Sequence, residues 1–200
     1  MDKKLKIALA QLNPLVGDVS GHIEKLISIR SNLNSDIDIL VAPVLYVSGY
    51  PIDDLVLRED FLNLVENEIN KLVQCTKDNK SAIIVGAPRK DNNQIKNSVF
   101  VIENGNIVSI KDKYELPNTG VFDEQRIFKQ GSLEDCVIIK GIKFGLPICE
   151  DIWEKTVLEK LSKSGAEIII AINASPFTVS KNEERENIAI LRVNETKLPM

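Results

Sequence analysis

Three short apolar runs, "DIDILVAP" at residues 36–43, "SAIIVGAP" at 81–88 and "AEIIIAINAS" at 166–175, constrain the chain more than any other feature. Each is too short to span a membrane and too uniformly apolar for a strand with one wet face. Each therefore predicts a strand buried on both sides, as found inside layered α/β folds. Stretches with helical spacing lie between them. From Ser20, the apolar positions Ile23, Leu26, Ile27 and Leu33 recur on one helical face, with Ser20 as the cap and Glu24 in the first turn. Leu55, Phe61, Leu62, Val65, Ile69, Leu72 and Val73 predict a long amphipathic helix over 55–76, and a charged helix is expected from Lys181 to Thr196.

The remaining segments complete the pattern. "KIALAQL", residues 6–12, alternates and ends at Asn13-Pro14, as a strand would. Residues 97–103 and 107–111 flank Asn104-Gly105, a strong hairpin signal. "CVIIKGIKFGLPICEDIW" reads as two strand segments hinged at Gly141, the second ending at Cys149 and followed by a helix to Ser164. The order β-α-β-α-β-ββ-loop-ββ-α-β-α predicts an α/β sandwich, with helices over largely buried sheets, as one domain across residues 1–200.

Composition excludes several functions. The formal net charge is −4 and the lysines are scattered among acids, so no basic field draws in nucleic acid. No membrane span is expected, and "MDKKLKIALAQL" enters a strand pattern too promptly for a signal peptide, which predicts a cytoplasmic protein. Cys75, Cys136 and Cys149 are odd in number and lack CxxC spacing, against both a disulfide framework and a zinc site. His22, the one histidine, is expected at the surface or at a helix cap, so neither a Ser/His triad nor a His-ligated metal site can be assembled without it. No cofactor is expected. No Gly-rich phosphate loop occurs either, so no phosphate cradle of that kind is expected.

Two segments could carry chemistry. In "GLPICEDIW" a cysteine ends a buried strand and is followed at once by Glu150-Asp151, where a strand-to-helix turn can project a nucleophile. A structural cysteine fits the same local pattern, because free cysteine is among the most buried residue types. The long stretch "KDKYELPNTGVFDEQRIFKQGS", residues 111–132, has no clean period and sets aromatic residues beside paired charges, as functional loops do. Lys113 there is either a solvated charge or a cation that lowers the thiol pKa.

"IALAQLNPLVGDVSGH", "LVAPVLYVSGYPIDDL", "KDKYELPNTGVFDEQRIF", "ICEDIW" and "INASPF…KNEER" resemble, in order and spacing, the carbon–nitrogen hydrolase (nitrilase) superfamily. The runs "GVFDE", "ICEDIW" and "NASPF" resemble the branch formed by glutamine amidohydrolase domains of glutamine-dependent NAD synthetases. The resemblance implies an αββα sandwich with a Glu/Lys/Cys triad that hydrolyses the glutamine amide. Cys149 matches the nucleophile and Lys113 the lysine. Glu124 matches an acidic residue at the pocket wall, and Ser175 and Lys181 match substrate-contacting positions. Thr119 stands where the family usually has Tyr.

The resemblance also exposes departures. The family's glutamate belongs in a pattern like "FPE", and here Ala42-Pro43-Val44 is aligned with it, so the general base is missing. Pro147, two residues before Cys149, is expected to disturb the backbone that aims the thiol. The family continues after "ETKLP" into further strands, so the domain is expected to be truncated at its C-terminus, with an exposed sheet edge and no synthetase domain. Glutamine as ligand, a separate synthetase chain as partner and a homo-oligomer are the implied associations. The function implied is an impaired glutaminase supplying ammonia for NAD biosynthesis. An inactive remnant and a non-catalytic glutamine-binding or regulatory subunit are the alternatives.

Overall fold

The computed structural model describes residues 4–179 and 181–200. Sheet one runs in the order β1 (Ile7–Leu9), β2 (Ile39–Val41), β3 (Ala82–Asp91), β4 (Gln94–Glu103) and β5 (Asn106–Asp112). The first three strands are parallel, joined by crossover helices α1 (Val19–Ser31) and α2 (Glu59–Cys75), and the last three are antiparallel. Two tight turns make the antiparallel part. Asn104 and Gly105 take positive φ (51° and 75°) at the expected hairpin, and Asn92 and Asn93 do the same (45° and 66°) between β3 and β4. The second turn is not marked by an Asn-Gly pair. Asparagine tolerates the left-handed region well enough to build it without glycine.

Sheet two contains β6 (Val137–Ile139), β7 (Ile142–Gly145) and β8 (Ile168–Ile169), with β6 antiparallel and β8 parallel to β7. Buried residues of both sheets, including Leu40, Ile84, Val101, Ile139 and Phe144, share one core cluster. α4 (Lys155–Lys163) closes a second cluster with Leu158, Leu161, Ala166 and Ile169. α1 and α2 pack together with α2 on sheet one, and α4 packs on β7 and on α5 (Lys181–Thr196). The layers are helix, sheet, sheet, helix, which is the expected α/β arrangement. At the edge of β8, the Ile169 N–H donates to the Pro199 carbonyl at 2.9 Å, while Leu9 of β1 stands 71% exposed.

Several local expectations change. Asp18, not Ser20, caps α1 by accepting the Gly21 N–H at 3.1 Å, and the Ser20 hydroxyl donates instead to Glu68. The apolar runs yield strands of only three residues in β2 and two in β8. His22 is buried rather than exposed. Its Nε2 accepts the Leu15 N–H at 2.9 Å and its Nδ1–H donates to the Val47 carbonyl at 3.1 Å, which fixes one neutral tautomer.

Gly86, inside β3, explains how the segment after β2 is held. Its N–H donates to the Pro43 carbonyl at 3.2 Å, and its carbonyl accepts the Val47 N–H at 3.1 Å. A Cβ at Gly86 would sit 2.4 Å from Leu45 N and 2.6 Å from Val44 Cα, both rigid backbone. Leu45 takes a positive φ of 48° to make this crossing. Gly86→Ala is expected to cost about 3 kcal/mol, at the upper end for overpacking, because no flexible side chain can yield. A urea unfolding midpoint unchanged by the substitution would show that the contact relaxes freely.

Candidate active site

β7 ends at Gly145, and the chain passes through Leu146, Pro147 and Ile148 into a single turn of 3₁₀ helix, Cys149–Ile152. Pro147 lies beyond the last β7 ladder pair, so its missing N–H costs no sheet bond. No ladder bond of the sheet is lost at this proline. Ile148 bridges Ile172, and the Cys149 N–H donates to the Ile172 carbonyl at 2.9 Å. Cys149 takes φ 48°, a left-handed conformation uncommon for a residue with a Cβ and often found at functional turns. Its Sγ lies 3.8 Å from the Ser175 hydroxyl.

Lys113 follows β5 directly. Its N–H donates to the Asn97 carbonyl of β4 and its own carbonyl accepts the Gly131 N–H, each at 2.8 Å. Its ammonium pairs with Glu124 Oε2 at 2.7 Å, and the two side chains are only 1% and 4% exposed. Glu124 opens the short helix α3 (Glu124–Ile127) within the long loop. Its other oxygen accepts from the Tyr50 hydroxyl at 3.1 Å and from Asn97 Nδ2 at 3.4 Å. A buried ion pair needs such extra hydrogen bonds to offset desolvation. Burial, reinforced by Glu124, pushes the Tyr50 hydroxyl pKa well above its usual range, so Tyr50 serves as a donor.

The other carboxylates of the turn are also displaced. Burial raises the Glu150 pKa, opposed by Lys113 and Lys181. Burial raises Asp151 to about 6, although it accepts backbone N–H groups that work the other way.

One cavity gathers Thr119, Cys149, Ser175 and Lys181, with Phe122 and Trp153 in its wall. The Lys181 ammonium stands 5.7 Å from the centre of the Trp153 ring. Glu124 lines a neighbouring cavity with Tyr50 and Phe122, and Lys113 lies buried behind it. Val44 lines neither. It is 2% exposed and belongs to the core cluster that also includes Cys149. Tyr50, Asn97 and Asp151 escape residue-by-residue reading of the sequence. Tyr50 stands in the uncharged "SGYP" and Asn97 in an apolar strand, so only the fold brings them to Glu124.

The arrangement provides a thiol on a strained turn beside a cavity of mixed polar and aromatic lining, and a buried ammonium outside that lining. Residues 6–190 match the model of the "Carbon-nitrogen hydrolase" family. The chain is 35% identical over 192 residues to a glutamine-dependent NAD(+) synthetase of Aquifex aeolicus, with 96% of this chain and 34% of that protein aligned. It is 35% identical over 204 residues to the same kind of enzyme from Thermotoga maritima, with 99% and 35% aligned. The chain thus spans about a third of the length of the curated relatives it matches. Among solved structures, a glutamine-dependent NAD+ synthetase from Acinetobacter baumannii superimposes with a TM-score of 0.87 at 32% identity, covering 98% of this chain and 37% of that one. An amidase from Nesterenkonia sp. shares the fold, with a TM-score of 0.82 at 16% identity, covering 97% and 73%. Among the described residues no helix is long and apolar enough to cross a membrane. By both sequence and fold, this chain belongs to the carbon–nitrogen hydrolase family.

Proposed function

We propose that the chain is a glutaminase-type module whose acid–base step is impaired, and that it supplies ammonia to a synthetase. In this reading the Cys149 thiolate attacks the side-chain amide carbon of glutamine, forming a C–S bond. The carbonyl electrons move to oxygen, where the Lys113 ammonium stabilises the developing charge. Collapse breaks the C–N bond and releases ammonia, provided that the proton lost by the thiol reaches the departing nitrogen. Water then hydrolyses the thioester to glutamate. Thr119, Ser175 and Lys181 line the pocket that holds the amino-acid end.

The observation that carries the impairment is that Glu124 is the carboxylate paired with Lys113, and its oxygens already accept from Lys113, Tyr50 and Asn97. It is thus poorly placed to shuttle protons, and Val44 has no acidic group. General acid–base catalysis typically contributes about 10²- to 10⁴-fold, so ammonia release from glutamine is expected to fall short of an intact glutaminase by that factor. Turnover equal to that of an intact enzyme refutes the reading. A cavity at Cys149 that also presents Thr119, Ser175 and Lys181 favours a second reading, a subunit that binds glutamine without hydrolysing it. Calorimetric binding of glutamine with no ammonia release selects that alternative.

A further inference from the structure

We propose that Asp151 is a positioning residue that holds the Cys149 turn and the Lys113 strand end in register. The proposal rests on the reading above that these two residues form the reacting pair. Asp151 lies two residues after Cys149 and is only 2% exposed. Its Oδ2 accepts the N–H of Ile148, the residue before Cys149, at 2.8 Å. Its Oδ1 accepts the N–H groups of Tyr114 and Glu115, the two residues after Lys113, at 3.1 and 2.7 Å. One carboxylate therefore satisfies three backbone donors on two segments that are 33 or more residues apart, since Ile148 and Glu115 are numbered 33 positions from one another. Neither segment is tied to the other by a β-ladder, because β5 belongs to sheet one and β7 to sheet two.

Stability alone does not account for an acid at this place. Burial makes its ionised form costly, and a raised carboxyl pKa means that this group's contribution to stability declines as pH rises from about 4 to about 6. What the ionised form supplies is two acceptor oxygens facing opposite segments. An asparagine offers one oxygen and would turn an NH₂ group towards a backbone N–H on one side. The charged groups facing this carboxylate and its turn are Lys113 and Glu115 from the β5 end, Glu124 from α3, Lys181 from α5 and Glu150 from the turn itself. Arg192 of α5 is held against the same turn by its bonds to the Ile152 and Trp153 carbonyls.

The test uses alkylation of the whole chain by iodoacetamide, with each cysteine followed separately by peptide mass spectrometry. Asp151→Asn is expected to slow Cys149 labelling at least tenfold and to change its pH profile, while Cys75 and Cys136 keep their rates. A general loosening of the fold would instead speed labelling at all three. Equal Cys149 rates in parent and variant overturn the proposal. Should the variant not fold, amide hydrogen exchange in the parent decides. The amides of Tyr114, Glu115 and Ile148 are expected to exchange with one common opening free energy, because a single carboxylate holds all three. Three unrelated opening free energies overturn the proposal. A glutamine-like diazo ketone tests the underlying reading separately. A parent chain labelled at Cys149 by iodoacetamide but not by the diazo ketone loses the glutaminase reading and leaves the positioning role standing.

Discussion

Val44→Glu is expected to raise ammonia release from glutamine by about 10²- to 10⁴-fold, the usual contribution of a general acid–base group. The reasoning is chemical. A thiol at the end of a strand can be aimed correctly and an ammonium can await the oxyanion, yet the thiol proton must still be taken up and delivered to nitrogen. An isopropyl group does neither. The Gly86 clasp fixes the backbone on both sides of position 44 through Pro43 and Val47, so a glutamate enters a defined site rather than a mobile loop. Val44→Gln is the matched control, with nearly the same volume and no proton to exchange. It is expected to lose stability like the glutamate variant, because both place a polar group at a position 2% exposed, but to gain no activity. A Val44→Glu chain that folds, binds glutamine and remains silent would place the defect elsewhere, with Thr119 the next residue to restore to the family's tyrosine.

Lys113→Met is expected to destabilise the chain by about 3–5 kcal/mol, because it leaves the Glu124 carboxylate buried without its cation. The pair joins two points of the long loop, 2.7 Å apart and almost wholly shielded from solvent, so water cannot replace the lost ammonium. The effect should be strongly non-additive. In the double variant Lys113→Met/Glu124→Gln the stranded charge is gone, Tyr50 and Asn97 can still donate to the amide oxygen, and most of the loss should return. Urea unfolding of the two single variants and the double variant measures the coupling directly. Additive losses would mean that the two side chains are held independently.

The layered α/β class and the Asn104-Gly105 hairpin followed from apolar runs, helical spacing and turn chemistry. The Asn92-Asn93 turn did not, because its sequence is less distinctive than its backbone, and which strands lie parallel is set only by packing. His22 was misplaced for a related reason. A lone histidine near a helix start carries no mark of burial, and only the approach of Leu15 and Val47 supplies its two partners.

The site divides along the same physical line. Local sequence placed Cys149 at an acidic turn after a β segment, although the strand ends four residues earlier at Gly145, and made residues 111–132 a long loop rich in charges. The resemblance to a family added Lys113, Glu124, Ser175 and Lys181, and marked Val44 as the substituted position. What only the tertiary structure decided is which groups meet. Tyr50 and Asn97 reach Glu124 from 74 and 27 residues away, and Asp151 spans the two halves of the site. Periodicity and turn signals report on neighbours along the chain, through backbone conformation and the wetting of one face. Hydrogen bonds between distant segments depend on how sheets stack and where loops cross, and those are set only when the whole core packs.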